Sequence, residues 1–347
     1  MNLIKSFSGM ICCFASIISC GADKINAFYN DTDDVKSWQH ASRKKLIRLL
    51  GIKDQLTAKP CDLAPESLWK RETPDGTIEK IRLQMTGDFA NHIYLCIPKN
   101  ATAPHRVFIC LQGHSTGMHT SIAVKFQDET TPLQVQGDRD FAIYCMRKGI
   151  AAICLEQRSF GENSTDTETR QKSCRQDGVK ELLMGRTLIG NRVFDVKRVI
   201  DYIKSNPLLD SSKIGIMGNS GGGTTAMFAG AVLPELTHIM PSCSFSSFKA
   251  SIYDQHHCVC NYIPRLMEYG ESAEVLGLIA PRPLVIVSGE NDTIFPIKEA
   301  KSEFERIKNI YNKLNAGENC QHVIGPEGHR FYADLAWRAM LPYWEKK

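Results

Sequence analysis

Between residues 106 and 325 the chain repeats one pattern, in which a short, near-continuous apolar run is followed by a stretch with apolar residues three and four apart. The runs are 106–112 (RVFICLQ), 150–156 (IAAICLE), 213–218 (KIGIMG), 238–242 (HIMPS), 284–289 (LVIVSG) and 322–325 (HVIG); helical periodicity fills stretches such as 188–205, 224–233 and 298–314. Strands apolar on both faces and alternating with helices predict a mostly parallel sheet covered on both sides. Upstream, 78–85 and 92–98 are β-rich and flank the turn-prone Gly87-Asp88, which predicts an antiparallel hairpin opening the sheet. The predicted fold class is therefore α/β, doubly wound, with about eight strands. Residues 37–50 (SWQHASRKKLIRLL) set Leu46, Ile47, Leu49 and Leu50 against Arg43, Lys44 and Lys45, as expected of an amphipathic helix lying on the domain.

The length of 347 residues allows one large domain or two ordinary ones. With no internal repeat, low-complexity segment or long linker, one domain over 76–347 is expected, preceded by a helical extension over 21–75. Composition is that of a globular protein, 43% hydrophobic and 23% charged. The net charge of +4 is spread without long runs, which argues against a nucleic-acid partner. Lys5 precedes an apolar stretch over 7–19, too short for the ~20 residues that span a bilayer but suited to a secretory signal over 1–20. Ile17-Ile18-Ser19-Cys20 resembles a lipobox, with Cys20 the lipidated first mature residue, so export and anchoring at a membrane are expected; a cytoplasmic enzyme with an unremarkable N-terminal tail is the alternative.

Thirteen cysteines form no evident disulfide framework. Cys96, Cys110, Cys145 and Cys154 lie in apolar surroundings, where thiols act as small hydrophobes, a usage that suits a reducing compartment at least as well as an oxidising one. Cys258 and Cys260 stand beside His256 and His257, but a C-x-C lacks the second ligand pair of a structural zinc site, so no metal is expected.

The chemistry is carried by Gly218-Asn219-Ser220-Gly221-Gly222, directly after a predicted strand and before a predicted helix. A strand-to-helix turn this tight requires small neighbours and lifts the serine hydroxyl above the carboxyl edge of the sheet. A serine needs a base to take its proton and an acid to orient that base. Asp292 follows the strand at 284–289, with Glu290 as its competitor, and His329 follows the strand at 322–325. Oxyanion donors are expected from the backbone N–H of Gly221 and, from the loop after 106–112, of His114.

On LQGHSTG, LEQRSFGEN, MGNSGGGTTA, HCVCNYIP, LIAPRPLVIVSGENDTIFP and GHRFYADLAW, the chain from about Ser42 onward resembles the α/β-hydrolase superfamily, in the branch of dienelactone hydrolase-like and acetyl xylan esterase-like proteins. A histidine commonly stands where this chain has Gln112. The resemblance implies a cofactor-free serine hydrolase acting on small acyl or methyl esters, often on carbohydrate. A related peptidase, or a non-catalytic carbohydrate-binding protein of the same fold, is the rival reading. Arg158 and Glu162 are candidate substrate ligands, or else partners in an internal brace. The aromatic-rich insertion at 244–270, with Phe245, Phe248, Tyr253, Tyr262 and Tyr269, is expected to wall the pocket.

Overall fold

The computed structural model describes residues 25–114, 116–166 and 171–346. The N-terminal signal and Cys20 lie outside the described residues. Nine strands form one sheet: β1 (Glu66–Glu72), β2 (Gly76–Thr86), β3 (Phe89–Pro98), β4 (His105–Leu111), β5 (Ala151–Leu155), β6 (Leu209–Asn219), β7 (His238–Ser242), β8 (Leu284–Gly289) and β9 (Cys320–Gly325), in the spatial order β1-β2-β3-β5-β4-β6-β7-β8-β9. β1, β2 and β3 are antiparallel, β3 meets β5 antiparallel, and every pairing from β5 to β9 is parallel. The strand beyond the expected eight is β1, ESLWKRE, inside the stretch read as a helical extension. It is an edge strand and largely exposed, so neither face needed an apolar pattern.

Helices cover both faces. They are α1 (Val35–Leu49), α2 (Lys53–Thr57), α3 (Phe141–Arg147), α4 (Gln171–Leu183), α5 (Leu188–Ser205), α6 (Gly221–Val232), α7 (Leu266–Tyr269), α8 (Ser272–Gly277), α9 (Ile297–Lys313) and α10 (Ala333–Glu345). Alternation along β4 shows how the two layers are filled. Val107, Ile109 and Leu111 enter the core shared with α1, α5, α6 and α9, while Phe108 and Cys110 enter the one shared with α3 and α10. The four thiols read as hydrophobes, Cys96, Cys110, Cys145 and Cys154, are all buried in that second core. No helix of the described residues is long and apolar enough to cross a membrane.

α1 begins at Asp34, whose carboxylate accepts from the N–H of Ser37 at 2.9 Å. Its Arg43 turns inward, away from the solvent face expected for it. The guanidinium donates to the carbonyls of Ala231 and Leu278 at 2.9 and 2.7 Å, satisfying acceptors at the ends of α6 and α8 that no helix can satisfy itself. This fastens the extension to the C-terminal ends of α6 and α8, while β4, β6, β8 and β9 all deliver their following loops at the sheet's carboxyl edge.

Candidate active site

β6 ends at Asn219 and α6 starts at Gly221, leaving Ser220 alone to make the turn, with φ 57° and ψ −123°. That conformation is unfavourable for a residue with a Cβ and persists only when its surroundings enforce it. They do: the Ser220 N–H donates to the Ser242 carbonyl on β7 at 2.8 Å, and the neighbouring backbone is closely packed. A Cβ on Gly218 would lie 2.5 Å from the backbone of Gly222, and one on Gly222 would lie 2.1 Å from the carbonyl oxygen of Leu111. The glycines of the motif are thus there for close approach of β4, β6 and α6.

Asp292 follows β8 and is buried. One carboxylate oxygen accepts the N–H groups of Ile294 and Phe295 at 2.9 and 3.1 Å, and the other meets His329 Nδ1 at 2.8 Å. Burial alone would raise this carboxyl. The hydrogen bond and charge of His329, with the two backbone donors, outweigh burial and hold it below its ordinary value, so it stays an anion. Glu290, the competing acid, is exposed. Phe295 stacks on the His329 ring at 5.9 Å between centroids and meets His257 edge-on at 5.5 Å. Buried Cys243, at the end of β7, donates to the Arg330 carbonyl at 3.1 Å beside this pair. Burial and the Asp292 charge push its thiol up to about 12, so it presents no competing thiolate.

Ser220 and His329 line one cavity of about 310 Å³, together with Gly113, His114, Asn219 and Arg139. Its remaining wall comes from Gln136, Gly137, Glu327 and Arg330 rather than from the insertion at 244–270. Arg330 joins two of these loops, pairing with Asp138 at 2.8 Å and with Glu327 at 3.1 Å. The expectation for the insertion is therefore corrected. Phe245, Phe248 and Tyr269 are core residues, because large apolar rings gain most by burial, and the exposed Tyr253 and Tyr262 line a separate cavity of about 350 Å³. Gln136, Gly137, Arg139, Glu327 and Arg330 were not among the candidate site residues, since polar loop residues carry no periodic signal.

Gly221 is the first residue of α6, so its N–H lies outside the helical ladder and is free for an incoming oxygen. The other expected donor, His114, sits across from it on the loop after β4. Gln112, the departure from the family pattern, pins that loop by donating to Ser121 Oγ and to the Arg139 carbonyl, each at 2.7 Å. A little further on, buried Glu156 accepts from the N–H of Met118 at 3.2 Å and that of Glu162 at 3.2 Å, linking the loops after β4 and β5. Burial, reinforced by the Glu162 charge, pushes its carboxyl up to about 8 against those hydrogen bonds.

Arg158 and Glu162 are not brought to the cavity. Arg158 forms a bidentate pair with buried Asp195 at 2.9 and 2.8 Å, and Glu162 bonds His92 at 2.8 Å and also Lys80. Both brace the β5 loop, the alternative role weighed for them. The missing second pair of ligands near Cys258 and Cys260 is also supplied by the fold: Cys174 and His114 converge on them.

A mostly parallel sheet bearing a positive-φ serine between strand and helix, with an aspartate and a histidine on the next strand ends, defines an α/β-hydrolase. The chain belongs to the Abhydrolase family, whose model matches residues 24–311. It is 23% identical over 302 residues, 83% of this chain and 92% of the relative, to YtaP of Bacillus subtilis (strain 168), which carries a provisional hydrolase name. Among solved structures it is similar to a Bacteroides fragilis NCTC 9343 protein provisionally named acetyl xylan esterase, with TM-score 0.70 and 14% identity over 89% of this chain and 79% of that one. It is also similar to a glucuronoyl esterase from Solibacter usitatus, with TM-score 0.65 and 15% identity over 94% of this chain and 97% of that one.

Proposed function

We propose that this protein is a serine esterase hydrolysing small acyl or methyl esters carried by carbohydrate. One observation carries the reading: the 2.8 Å contact from Asp292 to His329 Nδ1 lies beside the cavity that His329 shares with the strained Ser220. His329, its Nδ1–H held by Asp292, has Nε2 available to take the Ser220 proton. The serine oxygen attacks the ester carbonyl, and the N–H groups of Gly221 and His114 hold the resulting oxyanion. His329 then passes its proton to the departing alcohol, leaving an acyl-enzyme, and a second round with water as nucleophile frees the acid.

The polar lining of the cavity, to which Arg139 and Gln136 contribute along with the serine, suits hydroxylated alcohols better than acyl tails. The names carried by the relatives agree with carbohydrate esters. The test is release of acetate or methanol from acetylated and methyl-esterified polysaccharides, beside a panel of p-nitrophenyl esters. Ser220→Ala is expected to cost on the order of 10⁶ in kcat with the melting temperature unchanged; near-normal turnover in that variant would remove Ser220 from the mechanism. The same reading takes the enzyme to be exported and anchored through Cys20. Intact mass and membrane fractionation check this, and a soluble chain retaining Met1 would refute it.

A further inference from the structure

We propose that His114, Cys174, Cys258 and Cys260 form a Cys3His site for a structural zinc ion, built immediately behind the oxyanion loop. Their ligand atoms all lie within 4.8 Å of one another. His114 Nε2 is 3.1 Å from Cys260 Sγ and 3.8 Å from Cys174 Sγ, and the Cys174 and Cys258 sulfurs are 3.4 Å apart. A tetrahedron with zinc–sulfur bonds of about 2.3 Å and zinc–nitrogen bonds of about 2.0 Å has edges of roughly 3.5 to 3.8 Å, so the four atoms already stand close to the corners of such a figure. The sulfurs are too far apart for a disulfide, whose bond is about 2.05 Å. Cys174 and Cys260 are buried, so the thiols face each other rather than solvent.

A second observation points the same way. Arg192 is 1% exposed and makes no salt bridge to a carboxylate among the described residues. Its Nε and Nη2 donate to the Arg158 carbonyl at 3.1 and 2.8 Å, Nη2 also reaches Cys174 Sγ at 3.5 Å, its Nη1 is buried without a hydrogen-bond partner, and its guanidinium lies 4.0 Å from the Phe160 ring centre. A buried cation is costly without a compensating charge. Three thiols that each give a proton to solvent on binding Zn²⁺, with a neutral imidazole as fourth ligand, leave a centre of net charge −1 beside it.

Four protein ligands close the coordination sphere, so the ion does not touch the ester. Its role is mechanical. It joins the loop after β4, the start of α4 and the insertion at 244–270. The His114 ring that it grips packs against Gly221, where a Cβ would lie 3.0 Å from Nδ1, and against Phe160 at 4.7 Å between centroids. The ion would thereby fix the backbone on which the His114 N–H depends. This site is independent of the esterase reading and is read out without substrate.

The experiment uses the full chain, purified with its thiols reduced, with zinc measured by mass spectrometry of the metal. One zinc per chain is expected, released by a mercurial titrant together with three thiols. Cobalt in its place should show sulfur-to-metal charge transfer and the visible bands of a tetrahedral ion. Cys258→Ser with Cys260→Ser should abolish zinc retention, while Cys61→Ser, outside the cluster, should keep it. Because the double variant can fail to fold, the cobalt spectrum of the unaltered protein decides on its own. A folded, reduced chain that takes up neither zinc nor tetrahedral cobalt, or a peptide map linking Cys174 to Cys258, would overturn the proposal.

Discussion

Replacing Asp292 with asparagine tests the orienting role proposed for the carboxylate. In the native site one oxygen is committed to the N–H groups of Ile294 and Phe295, and the other accepts from His329 Nδ1. An asparagine keeps its carbonyl oxygen on the two backbone donors, since turning the amide over would set an NH₂ against two N–H groups. Its NH₂ then faces Nδ1, which must accept, and the ring proton moves to Nε2, the nitrogen that has to take the serine proton. The expected loss is ~10⁴ in kcat, equivalent to about 5 kcal/mol of transition-state stabilisation. KM should change little, because Asp292 does not line the cavity. All three hydrogen-bonding directions stay filled, so stability at neutral pH should fall by no more than ~1 kcal/mol. The carboxyl is held below its ordinary value in the fold; its stabilising effect is therefore complete above the unfolded pKa near 3.9 and disappears as pH falls through the lower native value. The variant should accordingly show a shallower acid limb in its stability profile. Initial rates on p-nitrophenyl acetate and melting curves between pH 2 and 7 test both halves. If Asp292→Asn kept a tenth or more of kcat while Glu290→Gln did the damage, the acid would be Glu290.

Other expectations follow from the same geometry. Ser220→Gly should be more stable than Ser220→Ala by about 1 kcal/mol, because relief of the positive φ, ~1–3 kcal/mol, exceeds the entropy cost of glycine; equal urea midpoints would mean the elbow holds no strain. Glu156 has its carboxyl raised to about 8, so the folded state keeps a proton that the unfolded chain loses, and native stability should fall as pH rises from about 4.5 to 8. Glu156→Gln should flatten that slope in melting curves, and an unchanged slope would assign it to another group. Across acetyl, butyryl, octanoyl and palmitoyl esters of one alcohol, kcat/KM should fall steadily with acyl length, each methylene mattering by no more than ~1–3 kcal/mol; a maximum at octanoyl or beyond would mean an acyl-binding cleft that the polar cavity does not offer.

The sequence made visible whatever rests on apolar periodicity or on steric necessity. The helix expected over 188–205 is α5 residue for residue, because its apolar stripe is continuous and Thr187 caps it. The elbow was legible because only glycine fits at Gly218 and Gly222. β1 was invisible because an exposed edge strand has no face to mark. The exchange of β4 and β5 in the spatial order was equally hidden, since both read as buried strands and nothing local says which lies beside β6. The part of the cavity wall made by Gln136, Gly137, Arg139, Glu327 and Arg330 has no periodic pattern. Hardest to see was the thiol cluster: Cys258 and Cys260 are neighbours in the chain, but Cys174 lies 84 positions before Cys258 and His114 lies 146 before Cys260, so the four meet only through the finished fold.

The same dispersal has a consequence for when the protein becomes active. Ser220, Asp292 and His329 sit on the ends of β6, β8 and β9, and His329 lies 37 positions beyond its acid partner. β9 pairs only with β8, at the far edge of the sheet. During synthesis the elbow is therefore made first and the proposed base last. On the proposed mechanism, a nascent chain that has laid down the whole sheet except β9 holds a nucleophile with nothing to deprotonate it. By the same proposed mechanism, hydrolysis should switch on abruptly as this final strand docks, making the first turnover a clock for the arrival of β9.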